Sequence, residues 1–186
     1  GLPPAGVVIG AAGGSLGSRR INEAVLGLVA RWAGRPGVAV RHAVGSRDWA
    51  EVSGRLPPPE PGGLVYQPVE YEGRMPLLLA AADVMVGRAG GTTVAELVTV
   101  GLPAVLVPLP IAPGDHQTAN GMALARAGAA LVVADAELSA DRLAIELEPL
   151  LADPDRLGAM GTAARTLARP DAAQRVAALV EEHARG

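Results

Sequence analysis

The residues best suited to chemistry lie between Val84 and Glu96, in the run V-M-V-G-R-A-G-G-T-T-V-A-E. An apolar, β-branched segment ends at Gly87, two adjacent glycines follow, and a periodic segment starts at once, which predicts a strand, a tight turn and a helix N-terminus. The first N–H groups of a helix have no intrahelical acceptor, and its dipole favours negative charge beside them. Gly90 and Gly91 also let a ligand come close to the main chain. A phosphate suits that geometry. Glu96, about one turn further on, is placed to accept hydroxyl protons from a neighbouring ribose. The same letters fit a second reading. Thr93-Val94-Ala95-Glu96 is also the pattern of a capping box, in which Thr and Glu satisfy backbone donors and bind nothing. The motif alone leaves both open.

A second glycine loop follows the short apolar strand Val7-Val8-Ile9. Gly13, Gly14, Ser15 and Gly17 precede an amphipathic helix with Ile21, Val25, Leu28, Val29 and Trp32 on one face. The loop departs from a strict G-x-G-x-x-G. It can cradle a phosphate at the helix start or serve as an ordinary strand–helix turn.

The elements that must position these loops alternate regularly. Strands are predicted at Val38–Val44, Leu64–Tyr66, Val84–Gly87, Ala104–Val107 and Ala130–Val133. Helices are expected over Asp48–Leu56, Leu77–Ala82, Thr93–Val100 and Gln117–Ala127, from Ser139 towards Leu151, and from Pro154 to Ala184, the last packing across the back of the sheet. Short apolar strands alternating with helices predict an α/β fold, a Rossmann-like, doubly wound parallel sheet of about six strands with helices on both faces. Ligands of such sheets bind outside the carboxyl ends of the strands, where the strand order reverses. The segments 13–18, 71–75, 87–96 and 115–120 all belong to that edge and are expected to converge on one cleft.

At 186 residues the prior is a single domain over 1–186, with residues 1–5 read as a linker or expression remnant. Aromatic residues are 2% of the chain and Phe is absent, so the core has to be built from Ala, Val and Leu. The 24 Gly and 16 Pro separate apolar runs, which makes them turn formers and not a low-complexity tract. A net charge of −3, with the basic residues all Arg and scattered, gives no reason to expect nucleic acid. Without cysteine there is no disulfide or thiolate chemistry, and no metal or cofactor is expected. No apolar run approaches the length of a membrane span. His42 and His183 show no convergent partners and are expected at the surface.

With the four loops in hand, the chain resembles the donor-binding C-terminal domain of the MurG family, the UDP-N-acetylglucosamine transferases that make lipid II in peptidoglycan synthesis. The resemblance rests on G-G-S-L-G at Gly13–Gly17, R-A-G-G-T-T-V-A-E at Arg88–Glu96, G-L-P-A-V-L-V-P at Gly101–Pro108 and H-Q-T-A-N at His116–Asn120, in that order and spacing. It implies one half of a GT-B glycosyltransferase, peripheral at the cytoplasmic face of the membrane. Carried over position by position, Ser15 and its flanking glycines meet the diphosphate of UDP-N-acetylglucosamine, and the backbone near Glu72, with Met75 beside it, reads the uracil edge. Gly90, Gly91, Thr92 and Thr93 hold phosphate and sugar, Glu96 the ribose hydroxyls, and Gln117 with Asn120 the sugar hydroxyls.

Two positions depart from the pattern. Ala89 stands where serine is common, and His116 stands where many members carry Gln or Glu, a polar contact or exposed loop residue and not a base. The resemblance also implies an N-terminal acceptor domain before Gly1, carrying the catalytic base and engaging the lipid-linked acceptor, so no catalytic residue is expected in this chain. The expectation is a donor half that binds UDP-sugar but does not turn it over. Alternatives are a separate donor subunit of a two-subunit transferase, a MurG-like transferase of a secondary-metabolite pathway, and a non-enzymatic nucleotide-binding module.

Overall fold

The computed structural model describes residues 6–14 and 17–184; the expected linker 1–5 and the candidate diphosphate contact Ser15 lie outside the described residues. The strands are β1 (Val7–Ala12), β2 (Val38–Ala43), β3 (Val65–Val69), β4 (Val84–Gly87), β5 (Ala104–Leu106) and β6 (Ala130–Val132). The helices are α1 (Arg19–Arg31), α2 (Trp49–Ser53), α3 (Met75–Ala81), α4 (Gly91–Val100), α5 (His116–Arg126), α6 (Ala140–Leu151), α7 (Pro154–Thr166) and α8 (Ala172–Ala184). All strand pairs are parallel, in the order β3-β2-β1-β4-β5-β6. The doubly wound sheet expected from the alternation of strands and helices is therefore present.

Side-chain alternation along the strands divides the interior into two cores. Ile9, Ala11, Val38, Val40, Val84, Val86 and Val105 face one layer, where they meet Ile21, Val25, Leu28, Val29 and Trp32 of α1's apolar stripe and Leu143, Leu147 and Leu150 of α6. Met85, Ala104, Leu106 and Ala130 face the opposite layer with Leu97 and Val98 of α4 and Leu124 of α5. Each large aliphatic side chain buried in this way contributes about 1.5–3 kcal/mol. A Cβ on Gly10 would lie 2.7 Å from Sδ of Met85, so glycine there lets the second layer close against β1.

Helix α4 stops at Gly101, whose φ of 76° is the left-handed conformation glycine adopts without strain. The edge strand β3 carries Pro68, which removes one ladder donor and discourages pairing with a further strand.

Two expectations are corrected. The C-terminal helical stretch is two helices, and α8 does not pack across the sheet. All its described residues are exposed, with Val176, Leu179 and Val180 between 56% and 63% accessible. His42 is not a surface residue but fully buried, while His183 is exposed. His42 shares a strand face with Val38 and Val40, and so points at α1.

A closed polar network receives it there. Asn22 donates from Nδ2 to the carbonyl of Val44 at 3.1 Å and to Oδ2 of Asp48 at 2.9 Å, so its Oδ1 has to accept. The His42 Nε2 lying 3.0 Å from that oxygen therefore carries the proton, and Nδ1 accepts from the Tyr66 hydroxyl at 2.9 Å. Burial lowers the His42 pKa from 6.5 to about 4 and pushes the Tyr66 phenol up.

Because the folded pKa lies below the unfolded one, the unfolded chain takes up this proton first as pH falls. The stabilisation is complete above about pH 6.5 and is lost progressively towards pH 4. Urea unfolding is expected to show a loss of about 2 kcal/mol between pH 7 and pH 5 from this group alone. His42→Gln, which can still donate and accept, should flatten that slope; parallel profiles for the two proteins would contradict the assignment.

Candidate functional site

The strand order reverses between β1 and β4, since the chain leaves β1 towards β2 and β3 and returns on β1's other side. Loops leaving the carboxyl ends of these two strands diverge and open a crevice. A cleft of about 420 Å³ occupies that place, lined by Gly14 after β1, Ala43 and Gly45 after β2, Glu70, Tyr71 and Glu72 after β3, Met75 and Leu79 of α3, and Thr92, Thr93 and Glu96 of α4. Six of the site residues expected from sequence thus share one wall system: Gly14, Glu72, Met75, Thr92, Thr93 and Glu96.

Helix α4 decides what the cleft can hold. It begins at Gly91 with Gly90 as N-cap, and its first backbone bond runs from Val94 N–H to the Gly90 carbonyl at 2.9 Å. No side chain caps it. The capping box is therefore not formed, because Thr93 already lies inside the helix. Among the described residues, the amides of Gly91, Thr92 and Thr93 and the Glu96 carboxylate have no protein partner. A Cβ built on Gly90 or Gly91 meets nothing within 4 Å, and neither residue has a positive φ. Glycine at these positions is demanded by nothing in the fold itself, and it leaves the main chain there open to close approach.

In the loop after β1, glycine serves two purposes. At Gly17, with φ of 84°, a Cβ would run into the Val44 carbonyl, and at Gly13 it would run into the Ser18 backbone, so both are fixed by packing. Gly14, with φ of 96°, faces open space and lines the cleft. Ser18 is the N-cap of α1 but does not cap it. By contrast, Ser139 and Asp153 accept from the third residue of α6 and of α7. Forgoing such a cap costs about 1 kcal/mol, and the Ser18 hydroxyl instead accepts from Arg88 at 2.8 Å.

Glu72 is buried and structurally engaged. Its carboxylate accepts from the Arg41 guanidinium at 2.8 Å and from the Arg74 N–H at 3.0 Å. Burial raises its pKa, but these donors together outweigh burial and hold it below the usual carboxylate value. The side chain thereby fixes the loop after β3, leaving the neighbouring backbone to face the cleft. Glu70 adds a third carboxylate to the lining.

The last expected group lies beside this cleft and not in its lining. Gln117 Oε1 accepts from Leu109 N–H at 3.0 Å, and Asn120 Nδ2 donates to the Ala89 carbonyl at 3.0 Å, next to Gly90. The other end of each amide makes no hydrogen bond among the described residues. His116 is exposed and bonds the Pro113 carbonyl through Nδ1 at 2.8 Å. Ala89 is fully buried.

Sequence reasoning missed Arg88. Its guanidinium reaches the carbonyls of Val107 and Pro108, Asp135 and Ser18. An arginine directly before a glycine turn, after an apolar strand, was the available signal.

A sheet of this order, with glycine-opened and uncapped helix starts at its reversal, defines a Rossmann-like domain of the kind that makes up half of a GT-B glycosyltransferase. The chain belongs to glycosyltransferase family 28 as its C-terminal domain, whose family model matches residues 8–176. It is 46% identical over 165 residues to the UDP-N-acetylglucosamine--N-acetylmuramyl-(pentapeptide) pyrophosphoryl-undecaprenol N-acetylglucosamine transferase of Mycobacterium avium (strain 104), covering 89% of this chain and 39% of that protein. The protein of the same name from Streptomyces coelicolor is 45% identical over 170 residues, covering 91% and 45%. The crystal structure of Acinetobacter baumannii MurG superposes with a TM-score of 0.85 at 31% identity, over 95% of this chain and 52% of that one. The resemblance read from the four motifs is borne out. The chain spans less than half the length of these two curated relatives. Among the described residues, no helix is long and apolar enough to cross a membrane.

The two roles of glycine are separable by thermal denaturation. Gly17→Ala should destabilise by at least ~2 kcal/mol, through its left-handed backbone and the collision with Val44. Gly91→Ala should leave the melting temperature unchanged or slightly raised, and equal losses at both positions would contradict the distinction.

Proposed function

We propose that this chain is the donor-binding half of an inverting glycosyltransferase that transfers N-acetylglucosamine from UDP-N-acetylglucosamine to a lipid-linked muramoyl-peptide, working at the cytoplasmic face of the membrane. One observation carries the reading: the unpaired amides at the start of α4 and the free carboxylate of Glu96 border the same cleft. In this reading the amides of Gly91, Thr92 and Thr93 and the opening at Gly14 receive the diphosphate, where helix-end charge is favourable. Glu96 accepts from the ribose hydroxyls, the backbone around Glu72 and Met75 meets the uracil edge, and Gln117 and Asn120 reach the sugar hydroxyls with their unused ends. His116, exposed beside them, contributes a polar contact.

The chemistry follows from these placements. The acceptor hydroxyl attacks the anomeric carbon on the face opposite the nucleotide, after losing its proton to a base on the acceptor half. The residues of this chain stabilise negative charge gathering on the departing UDP. That stabilisation is preorganised, because the donors belong to a helix packed into the core. Affinity for the nucleotide and the electrostatic part of catalysis therefore reside here, while acceptor choice and proton removal belong to the other half.

Calorimetric titration with UDP, TDP and NAD tests the reading. UDP is expected to bind, and Glu96→Ala to weaken it about tenfold or more by removing a charged acceptor of two hydroxyl protons. A preference for NAD, or UDP affinity unaffected by Glu96→Ala, would refute it. The strand-two end, Val44-Gly45-Ser46, offers no acidic residue for the ribose of a dinucleotide.

A further inference from the structure

Arg88 makes four contacts at the carboxyl rim of the sheet and does not itself line the cleft. Its Nη1 donates to the carbonyls of Val107 at 3.1 Å and Pro108 at 3.2 Å and to Oδ1 of Asp135 at 2.7 Å, while Nη2 donates to Oγ of Ser18 at 2.8 Å. The partners belong to the start of α1, the loop after β5 and the turn after β6, and Arg88 stands two residues before Gly90, the N-cap of α4. We propose that Arg88 is a positioning residue, whose planar fork sets the start of α1 against the start of α4 so that both uncapped helix ends face one ligand in fixed register. The inference rests on the donor-nucleotide reading and deepens it.

Three features argue for this role over plain structural adhesion. Ser18 is of a residue type well suited to capping α1, yet its hydroxyl is turned to the guanidinium and the α1 amides are left uncapped. Asp135, which anchors the fork, is itself held from the other side by Arg20 Nε at 3.0 Å, so the anchor is pinned between α1 and the loop after β4. The contacts also run in several directions from one rigid plane. A lysine has a single ammonium and cannot reach Ser18, Asp135 and two carbonyls together. With the fork in place, one side chain ties the start of α1 to the segment that leads into α4; without it, that separation depends on two loops.

The test measures UDP titration and backbone amide order parameters on this chain for the parent protein, Ser18→Ala, Arg88→Lys and the double variant. Arg88→Lys is expected to weaken UDP binding about tenfold or more, and Ser18→Ala by a smaller factor. The double variant should bind no more weakly than Arg88→Lys, because the Ser18 contact is already lost there. Order parameters at Gly90 to Thr93 should fall in Arg88→Lys, and those at Ser18 to Arg20 in both single variants, with melting temperatures nearly constant.

Parent-like UDP affinity in both single variants, or fully additive losses in the double variant, would overturn the proposal. If the parent protein binds no UDP, it is the donor-nucleotide reading that falls, and unchanged order parameters in the variants would then separately overturn the positioning role. If Arg88→Lys does not fold, Ser18→Ala decides: parent-like affinity and order parameters at Ser18 to Arg20 count against the proposal, and a loss of both supports it.

Discussion

The amides at the start of α4 find no acceptor among the described residues, and the architecture around them keeps it so. They sit at the end of β4, whose four residues are buried between β1 and β5, so the helix start cannot swing towards a partner. Thr93, which could have capped a helix beginning one residue after it, lies inside α4 because the helix begins at Gly91, two residues sooner than the periodic apolar pattern suggests. An uncapped helix end is a local cost in stability. It is tolerable here because α4 is fixed independently, through Leu97 and Val98 packed into the second core and the left-handed Gly101 at its other end.

Around this helix start the rim is organised by arginine. The chain contains no lysine, and the positions where loops from different strands meet are bridged by guanidinium groups: Arg41 to Glu72, Arg47 to the Gly17 carbonyl and Asp48, and Arg88 to its four partners. Partly buried ion pairs add little net stability, because desolvation offsets much of their attraction. Their contribution is directional. A planar fork fixes distances between backbone segments that have no ladder to hold them. The Asn22–His42–Tyr66 network does the same from beneath, joining α1 to β2 and β3 by side chains whose donors and acceptors match one for one.

The sequence made the repeating units legible and left the cross-connections hidden. Strands β1, β4 and β5 and helices α1 and α4 could be read because their apolar periods and glycine stops are local. The cleft could be placed because strand alternation implies a parallel sheet, and parallel sheets put their loops on one edge. Hydrogen bonds between residues 31, 70 or 47 positions apart, as in Arg41–Glu72, Arg88–Ser18 and Arg88–Asp135, leave no trace in spacing. His42 is the instructive case between these. Its place on the Val38–Val40 face is compatible with burial, but its partners Asn22 and Tyr66, 20 and 24 residues away, leave no local signal of the network that makes burial possible. For α8 the helical character was readable, whereas its place was not: among the described residues nothing covers it.

Charge in the cleft is divided in a way that orients whatever binds. Glu70, Glu72 and Glu96 all contribute to its lining, and among the described residues no Arg does. Glu72 is neutralised by Arg41, whereas Glu96 remains an open acceptor beside Thr92 and Thr93. A ligand with phosphates and hydroxyls therefore has one favourable arrangement along α4: anionic oxygens at the helix start, where the amides and the dipole receive them, and hydroxyl donors one turn further on, against the carboxylate. Reversing it would set phosphate against carboxylate in a partly desolvated space and leave the amides unpaired, which is unfavourable at both ends. In the proposed function this polarity directs the sugar away from Glu96 towards Gln117 and Asn120. In that proposal the helix that receives the nucleotide also determines the side from which an acceptor has to approach.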